Sequence, residues 1–339
     1  MLSHISIKNA VMATCIFFAY NLLSDPVAEA QNILKLSPLS DESYAENFTL
    51  VARLENNDYL LVQAMIMNGG VGDEKPACRI LYVSSDGHSI NEVNRGDDWS
   101  YQKRLDKVRI GTCLLQRTAN GLTWKAKTES ISAELSLQGK TKRFNAKNMH
   151  LNSKDGSFES HIIMPRAEVL ARIKHKGKQN RKLKGIGLVN HARSTILPPK
   201  LAKRWFKLYA FAKNPSSSMP KFLLLDIRYP PQKAKPQAWV WESSQSNPKN
   251  IKLADPFLSQ NLAKKSLKKG DHFTLSAHDS SYRIRHLKPM FRYEPIKAYG
   301  LMGRMLKSWI GDPINQSSLV EIETPNGIMI GMVEEVLFR

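Results

Sequence analysis

Residues 48–70 read FTLVARLENNDYLLVQAMIMNGG, and this stretch predicts the class of fold. Two apolar runs, 48–54 and 59–67, are separated by Asn56-Asn57 and followed by Asn68-Gly69-Gly70. Short apolar runs bounded by Asn and Gly are typical of antiparallel strands joined by tight turns. We therefore expect a β-hairpin here.

The same pattern continues along the chain. Repeated short runs of strand character, broken by turn residues, predict a barrel or a sandwich. Near the C-terminus, residues 299–310 carry apolar side chains at helical spacing and predict a short helix. The strand-like runs are 77–83, 108–116, 122–126, 130–137, 168–174, 184–189, 205–212, 222–228, 239–241, 273–277, 282–285, 318–322 and 328–338.

The length of the chain allows two domains. A single hydrophobic core stops growing at roughly 250–300 residues, and this chain has 339. Residues 140–156 are polar and are interpreted as the connection between two β-rich units. We predict a first domain at 31–150 and a second at 151–339.

Residues 1–30 have the features of a cleavable signal peptide. A short polar start without acids precedes the mostly apolar run 10–23, and Val27-Ala28-Glu29-Ala30 ends in the small-x-small pattern of a cleavage site. A membrane-spanning helix needs about 20 apolar residues, and polar residues interrupt this run too early. We therefore predict an exported protein, periplasmic or secreted.

Two cysteines remain after the leader, Cys78 and Cys113, both in strand-like runs. In an oxidising compartment they would form a disulfide that staples two strands. The alternative is two buried thiols, because free cysteine is among the most buried residue types. No CxxC or HxxxH spacing accompanies them, so we predict no metal site.

The charge is strongly basic, with 50 Lys and Arg against 30 Asp and Glu, a formal net charge of +20. The stretch 169–225 contains many basic residues and no acidic one. It is interpreted either as a surface for anionic membrane lipids or as a solvated face that serves solubility. No motif for RNA or DNA binding is present, so nucleic acid is not an expected partner.

Searches for catalytic motifs exclude several enzyme classes. The sequence lacks a GxSxG elbow, a Walker A loop, a GxGxxG after a strand and an HExxH pair. Standard hydrolases and nucleotide-dependent enzymes are therefore excluded, and no cofactor is expected.

Four segments carry a resemblance to a known family: GLVNHARSTILP at 187–198, AKRWFKL at 202–208, DYLLVQ at 58–63 and GMVEEVL at 331–337. Together they resemble the tandem lipocalin-like family that includes carotenoid 1,2-hydratases, AttH-type proteins and yeast survival-factor proteins. The resemblance implies a mainly β fold of two consecutive lipocalin-like antiparallel barrels. It also implies an apolar or lipidic ligand.

In hydratase-like members of that family, an Asp-His pair followed by a Trp is associated with the reaction site. Here Asn190 stands in the place of the acid and Arg193 in the place of the Trp, so only His191 is shared. Hydration of an alkene needs a proton donor strong enough to protonate carbon, and an amide cannot supply one. This segment therefore argues against the hydratase reaction.

The same segment has two interpretations from its residues alone. On a strand, His191 and Arg193 share one face, and Asn190 shares the other face with Ala192. If the His191 face points into a barrel, His191 and Arg193 would bind an acidic headgroup through charge-assisted hydrogen bonds. If it points outwards, both are ordinary surface residues.

Other candidate residues are one acid and three tryptophans. Asp226 interrupts an apolar run and is either a catalytic partner of His191 or a member of a structural ion pair with His191 or Arg193. Trp239 and Trp241 share a strand face and, with Trp205, either fill the core or line a pocket for an apolar ligand.

Three hypotheses for function follow. The first is a protein that binds a hydrophobic or lipidic ligand, at or near an anionic membrane surface. The second is a hydratase- or isomerase-like enzyme that uses His191 with Asp226 or Arg193. The third is a structural or interaction protein of the cell envelope with filled barrels. An apolar cavity favours the first, and a cavity with His191 beside a carboxylate favours the second.

Overall fold

The computed structural model describes residues 32–68, 73–212, 221–231, 236–244, 246, 249–251, 270, 272–277, 280–294 and 312–338. The predicted signal peptide at 1–30 and the predicted helix at 299–310 lie outside the described residues. Residues 33–339 form one compact unit. In the described part of the chain, no helix has the length and apolar character needed to cross a membrane.

The fold is mainly antiparallel β, as predicted. The first sheet contains β1 (Ala45–Leu54), β2 (Tyr59–Met67), β3 (Lys75–Val83), β4 (Ser89–Arg95), β5 (Trp99–Gln102), β6 (Lys107–Ile110), β7 (Cys113–Thr118), β8 (Gly121–Lys127), β9 (Ile131–Gln138), β10 (His150–Ser153), β11 (Gly156–His175) and β12 (Arg181–Ser194).

The second sheet follows a short helix, α1 (Pro198–Leu201). It contains β13 (Arg204–Phe211), β14 (Phe222–Tyr229), β15 (Gln237–Glu242), β16 (Lys249–Ile251), β17 (His272–Ala277), β18 (Ser280–Tyr293), β19 (Pro313–Thr324) and β20 (Gly327–Phe338). Single 3-10 turns lie at Glu55–Asn57, Lys103–Leu105 and Lys147–Met149.

Each sheet is a meander whose last strand returns beside its first. The first sheet has the order β4-β3-β2-β1-β12-β11-β9-β8-β7-β6-β5, with β10 paired to β11, and the second has the order β16-β15-β14-β13-β20-β19-β18-β17. The first sheet is strongly curled, so that β3 contacts β6, β8 and β9 across its inside. Apolar side chains that alternate along these strands fill that inside, including Phe48, Leu50 and Trp124.

The strand pattern corrects the predictions in three places. The predicted run 108–116 is two strands, because the chain turns at Gly111, whose φ of +54° suits glycine. Strands β4, β5, β10 and β16 were not predicted, and in β4 and β5 the polar, largely exposed residues give no clear alternation. Strands β11 and β12 belong to the first sheet, so the chain changes sheet between Ser194 and Arg204. The domain division at residue 150 stays a prediction.

Cys78 on β3 and Cys113 on β7 are joined by a disulfide. These strands are not neighbours in the sheet order, so the bond crosses the apolar inside of the curled sheet. It joins opposite walls of that sheet.

The two sheets pack face to face through a separate apolar layer. Its members come from the outer face of β1–β3 and β12 and from β13–β15 and β20, among them Tyr59, Leu188, Tyr209, Leu224 and Met332. Beside this layer the two sheets are separated by a space, and the candidate site lies in that space.

Candidate functional site

A cavity of about 340 Å³ lies between the two sheets, beside this apolar layer. One wall comes from β1–β3 and β12 and the other from β13, β19 and β20. Leu61, Leu81, Phe158 and Trp205 contribute apolar surface, and ten charged or amide residues also line the space. The cavity therefore combines apolar surface with polar groups that could orient a ligand.

A row of charged side chains crosses the second sheet at the cavity. Lys207 on β13 lies directly opposite Asp226 on β14 and directly opposite Glu334 on β20. Lys207 and Glu334 line the cavity, and Lys207 also packs its ammonium group over the Trp205 ring, 4.3 Å from the centroid. The site therefore contains a cation between two carboxyl groups.

Glu334 is held by two tyrosines. Tyr59 on β2 donates a hydrogen bond of 2.6 Å to Oε1, and Tyr209 on β13 donates one of 3.2 Å to Oε2. Burial, together with the charge of Glu334, raises the pKa of each tyrosine well above the usual value for a phenol. Both phenols therefore keep their protons and remain donors. The carboxylate is thus fixed in position by one strand from each sheet.

Asp226 closes a small extension of the cavity. A space of about 20 Å³ is lined by Asp226 and Trp239 and shares Asn190, Lys207 and Tyr209 with the main cavity. Trp205 donates a hydrogen bond of 2.8 Å to Oδ2, and the Nε of Arg228 lies 3.8 Å from Oδ1. Burial raises the pKa of Asp226 despite the nearby Arg228 and Lys207, so this carboxyl group holds its proton more readily than usual.

Asn190 supplies a free acceptor to both spaces. The residue is 8% exposed, and its Oδ1 has no hydrogen-bond partner among the described residues. A buried carbonyl without a partner costs free energy that a ligand donor would recover.

His191 lies on the opposite face of β12, inside the first sheet. Its Nε2 lies 2.6 Å from Oε1 of Glu46, its Nδ1 lies 3.1 Å from a guanidinium nitrogen of Arg143, and its ring stacks on Phe48 at 4.4 Å. Since Arg143 can only donate, Nδ1 accepts and the imidazole proton is on Nε2. Tyr44 also donates a hydrogen bond to Glu46.

The pKa values of this buried pair both move downwards. Burial lowers the pKa of His191, because it penalises the charged imidazolium more than Glu46 favours it. Burial alone would raise the pKa of Glu46, but the hydrogen bonds that its carboxylate accepts from His191, Tyr44 and the backbone of Ser37 outweigh burial and lower it. His191 is therefore a neutral donor to a carboxylate in the protein interior.

Comparison with solved structures shows which fold this is. The structure of CghA with Sch210972 matches with a TM-score of 0.59 at 12% identity over 90% of this chain and 94% of that one. An AttH-type protein from Nitrosomonas europaea matches with a TM-score of 0.57 at 10% identity over 87% and 92%. Kievitone hydratase from Nectria haematococca matches with a TM-score of 0.51 at 10% identity over 91% and 94%.

The chain has the AttH-type lipocalin-like fold. The resemblance stated from the sequence is thereby confirmed at the level of the fold. No protein-family model matches the sequence, and no curated protein matches it significantly.

In this AttH-type fold the predicted site residues separate into two groups. Asn190, Arg193 and Trp205 line the main cavity, and Asp226 and Trp239 line its extension. Trp241 packs against Phe144 and Phe222 in the apolar layer and lines neither space. His191 also lines neither space.

The predicted partners of Asp226 need correction. Asp226 is paired with Arg228, whereas His191 is paired with Glu46, and Arg193 with Glu159 at 2.6 Å. The reason is the alternation of side chains along β12, which points His191 away from the second sheet. Among the described residues, no group of three His, Cys, Asp or Glu could hold a metal ion.

Sequence reasoning missed the residues that complete the site. Glu334, Lys207 and Tyr209 lie more than a hundred residues from Tyr59 and Arg79, and only the pairing of strands brings them together. One signal was available, since Glu334 interrupts the apolar run of β20. A carboxylate on the buried face of a strand needs a donor, and this one has two.

Proposed function

We propose that the protein binds a hydrophobic or lipidic small molecule in the cavity between its two sheets. The observation that carries this proposal is a space of about 340 Å³ with apolar surface on both walls, whose polar groups include Glu334, Lys207 and the free acceptor of Asn190. This volume falls within the usual range of small-molecule sites, about 300–1,000 Å³. The apolar walls would bury the body of the ligand, and the polar groups would orient a hydroxyl or carbonyl substituent.

The finer arrangement of the fold is part of the proposal. Two consecutive lipocalin-like barrels are supported by the strand order, since the first and last strands of each sheet pair with each other. In this arrangement the ligand lies between the barrels, because the inside of the first sheet is filled with packed side chains.

A second candidate function is a hydratase- or isomerase-like enzyme acting on the same ligand. The observation that favours it is the row Asp226–Lys207–Glu334, which places a carboxyl group of raised pKa and a tyrosine-held carboxylate beside one cavity. One structural neighbour is named as a hydratase. The proton donor would then be Asp226, and His191 would not contact the ligand.

The chemistry of that candidate can be stated for a carbon–carbon double bond. Asp226 would give its proton to one carbon, and water would attack the cation on the other carbon while Glu334 takes the proton released. If the cation instead loses a proton from a different carbon to Glu334, the product is an isomer with the double bond moved. Lys207 between the two carboxyl groups would stabilise whichever of them is ionised.

Export from the cytoplasm is also proposed. The disulfide between Cys78 and Cys113 supports it, because disulfides form and persist mainly in oxidising compartments. The leader-like composition of residues 1–30 points the same way.

The test is native mass spectrometry of the protein purified from its own cells, followed by organic extraction and identification of what is released. A stoichiometric lipid or isoprenoid would support binding and would supply the substrate for an activity assay. Turnover of that molecule, abolished in Asp226→Asn, would favour the enzyme. An empty protein that also fails to take up added lipids would contradict the proposal.

A further inference from the structure

The outer surface of the first sheet carries a continuous set of basic side chains. It is formed by the outward-pointing residues of β6, β7, β8, β9, β11 and β12, on the side away from the packed inside. We call this surface the basic face. Its rows, read across the strands by direct pairing, are Arg109–Leu114–Lys125–Glu134–Arg172–Lys182, Lys107–Gln116–Thr123–Ser136–Leu170–Lys184 and Lys127–Ser132–Lys174.

The charge of the basic face is almost entirely of one sign. Within these rows Glu134 is the one acidic residue, and every other charged member is Lys or Arg. A second acid of this face, Glu168, lies in the next row of β11 and pairs with Arg166. Apart from the half-buried Lys107, the cations of these rows are exposed. None of them forms an ion pair with a carboxylate of the described residues.

Some of these cations repel each other. Arg172 on β11 lies directly opposite Lys182 on β12, and like charges in that position destabilise a sheet. The repulsion disappears when anions lie against the surface. The arrangement therefore suits a partner that presents many negative charges at once.

The distribution of the cations indicates the kind of partner. They lie on β6, β8, β11 and β12, which span six neighbouring strands, about 25 Å along the sheet at the usual spacing of strands, rather than along one groove. The rows contain no aromatic residue, and proteins that bind single-stranded nucleic acid rely on aromatic stacking. Leu170, 45% exposed, lies among the cations and would enter a lipid interface.

We propose that the basic face docks the protein on a membrane surface of anionic lipids. The cations would neutralise lipid phosphates, and Leu170 would contact the acyl boundary. This interaction does not depend on the ligand proposed for the cavity, because the cavity meets the outer face of β12 at residues 190–194, whereas the basic face meets it at the opposite end, at Lys182 and Lys184.

The experiment is co-sedimentation of the purified protein with vesicles of phosphatidylglycerol and phosphatidylcholine, compared with phosphatidylcholine alone. The test variant combines Lys125→Gln, Arg172→Gln and Lys174→Gln. The control variant combines Lys154→Gln, Lys203→Gln and Lys249→Gln, which removes the same charge from exposed positions elsewhere. At about fivefold per cation, the test variant should bind anionic vesicles about 100-fold more weakly, and the control should bind nearly as the wild type.

Three results would overturn the proposal. Equal losses in the two variants would mean that only net charge matters. Equal binding of wild-type protein to neutral vesicles would remove the electrostatic basis. Binding to heparin or DNA without binding to anionic vesicles would assign the face to a soluble polyanion. Thermal melting of each variant checks folding, and Leu170→Ser, which leaves the charge intact, should weaken binding to vesicles but not to heparin.

Discussion

Glu334 is the residue on which the proposed recognition of a ligand at the cavity would depend most directly. Its carboxylate accepts hydrogen bonds from Tyr59 and Tyr209, which belong to different sheets, and it faces a space large enough for a ligand. Because its donors are fixed, it is already oriented before a ligand arrives. An oriented charged acceptor favours a ligand that carries a hydroxyl or other donor.

Glu334→Gln should weaken binding of the extracted ligand by about tenfold. The substitution removes the charge from a hydrogen bond to the ligand, which should cost about 1.4 kcal/mol of binding free energy. Isothermal titration calorimetry measures the change. Glu323→Gln, at an exposed position on β19, is the matched control and should leave the affinity unchanged. Equal affinities of the wild type and Glu334→Gln would place the ligand elsewhere.

The sequence predicted a catalytic role for His191. We expect it to stabilise the fold instead, because it lines neither space of the candidate site. His191→Gln should lower the free energy of unfolding by about 3 kcal/mol at neutral pH, since it breaks a buried pair with Glu46 and the stacking on Phe48. Ligand affinity should be unchanged. His88→Gln, at an exposed histidine, controls for the substitution itself. Urea denaturation measures the stability of both, and lost binding in folded His191→Gln would contradict this role.

The same pair predicts how stability depends on pH. The pKa of His191 is lowered in the folded protein, so below about pH 6.5 the unfolded chain binds a proton that the folded protein does not. Stability should therefore fall as the pH drops from 7 to 5. In His191→Gln this part of the fall should be absent, and urea midpoints across the pH range give the comparison. An identical pH profile in both proteins would show that His191 does not titrate abnormally.

At the scale of elements, strand β12 decides where the functional residues lie. It pairs with β1 and β11, and its alternate residues point to opposite sides of the sheet. Asn190 therefore faces the cavity while His191 faces the packed inside. Gly187 allows the close approach of β12 to β1, since a Cβ there would lie 2.6 Å from the carbonyl oxygen of Val51.

The disulfide between β3 and β7 should stabilise the curled sheet. Replacing both cysteines with alanine should cost about 4 kcal/mol, the chain-entropy value for a crosslink between positions 35 residues apart. Urea denaturation of the wild type with and without a reductant should show the same loss. The alanine double variant is the control, because a reductant should not change its stability. A wild type insensitive to reductant would show that the crosslink contributes little.

At the scale of the whole molecule, the two proposed interactions use different surfaces of the protein. The sheets face each other across an apolar layer and a cavity, and the basic face lies on the outside of the first sheet. The proposed ligand binding and the proposed membrane docking should therefore be separable by mutation.

Export is a prediction for the whole chain. The mature protein should begin at Gln31, because the small-x-small pattern ends at Ala30. Intact-mass analysis of protein recovered from the periplasm or culture medium measures the N-terminus. Replacing Ala28 and Ala30 with arginine should block processing and leave the longer form. A protein that remains in the cytoplasm with residues 1–30 attached would show that the segment is not a signal peptide.

The sequence by itself determined the class of the fold and most of its strands. Local alternation and turn residues predict β2 to the residue, because they depend on neighbours along the chain. The resemblance carried by 187–198 also identified the fold correctly. Strands without alternation, such as β4, gave no local signal.

Only the tertiary structure decided the site. The side of β12 that faces the second sheet depends on the pairing of β1 with β12 and on the packing of two sheets, which a local pattern does not encode. Glu46 and His191 are 145 positions apart and Tyr59 and Glu334 are 275 apart, and each pair is joined by one hydrogen bond. Sequence patterns report which residues share a face of one strand. The contacts that make a cavity arise between strands distant in the chain, and they exist only once the sheets have packed.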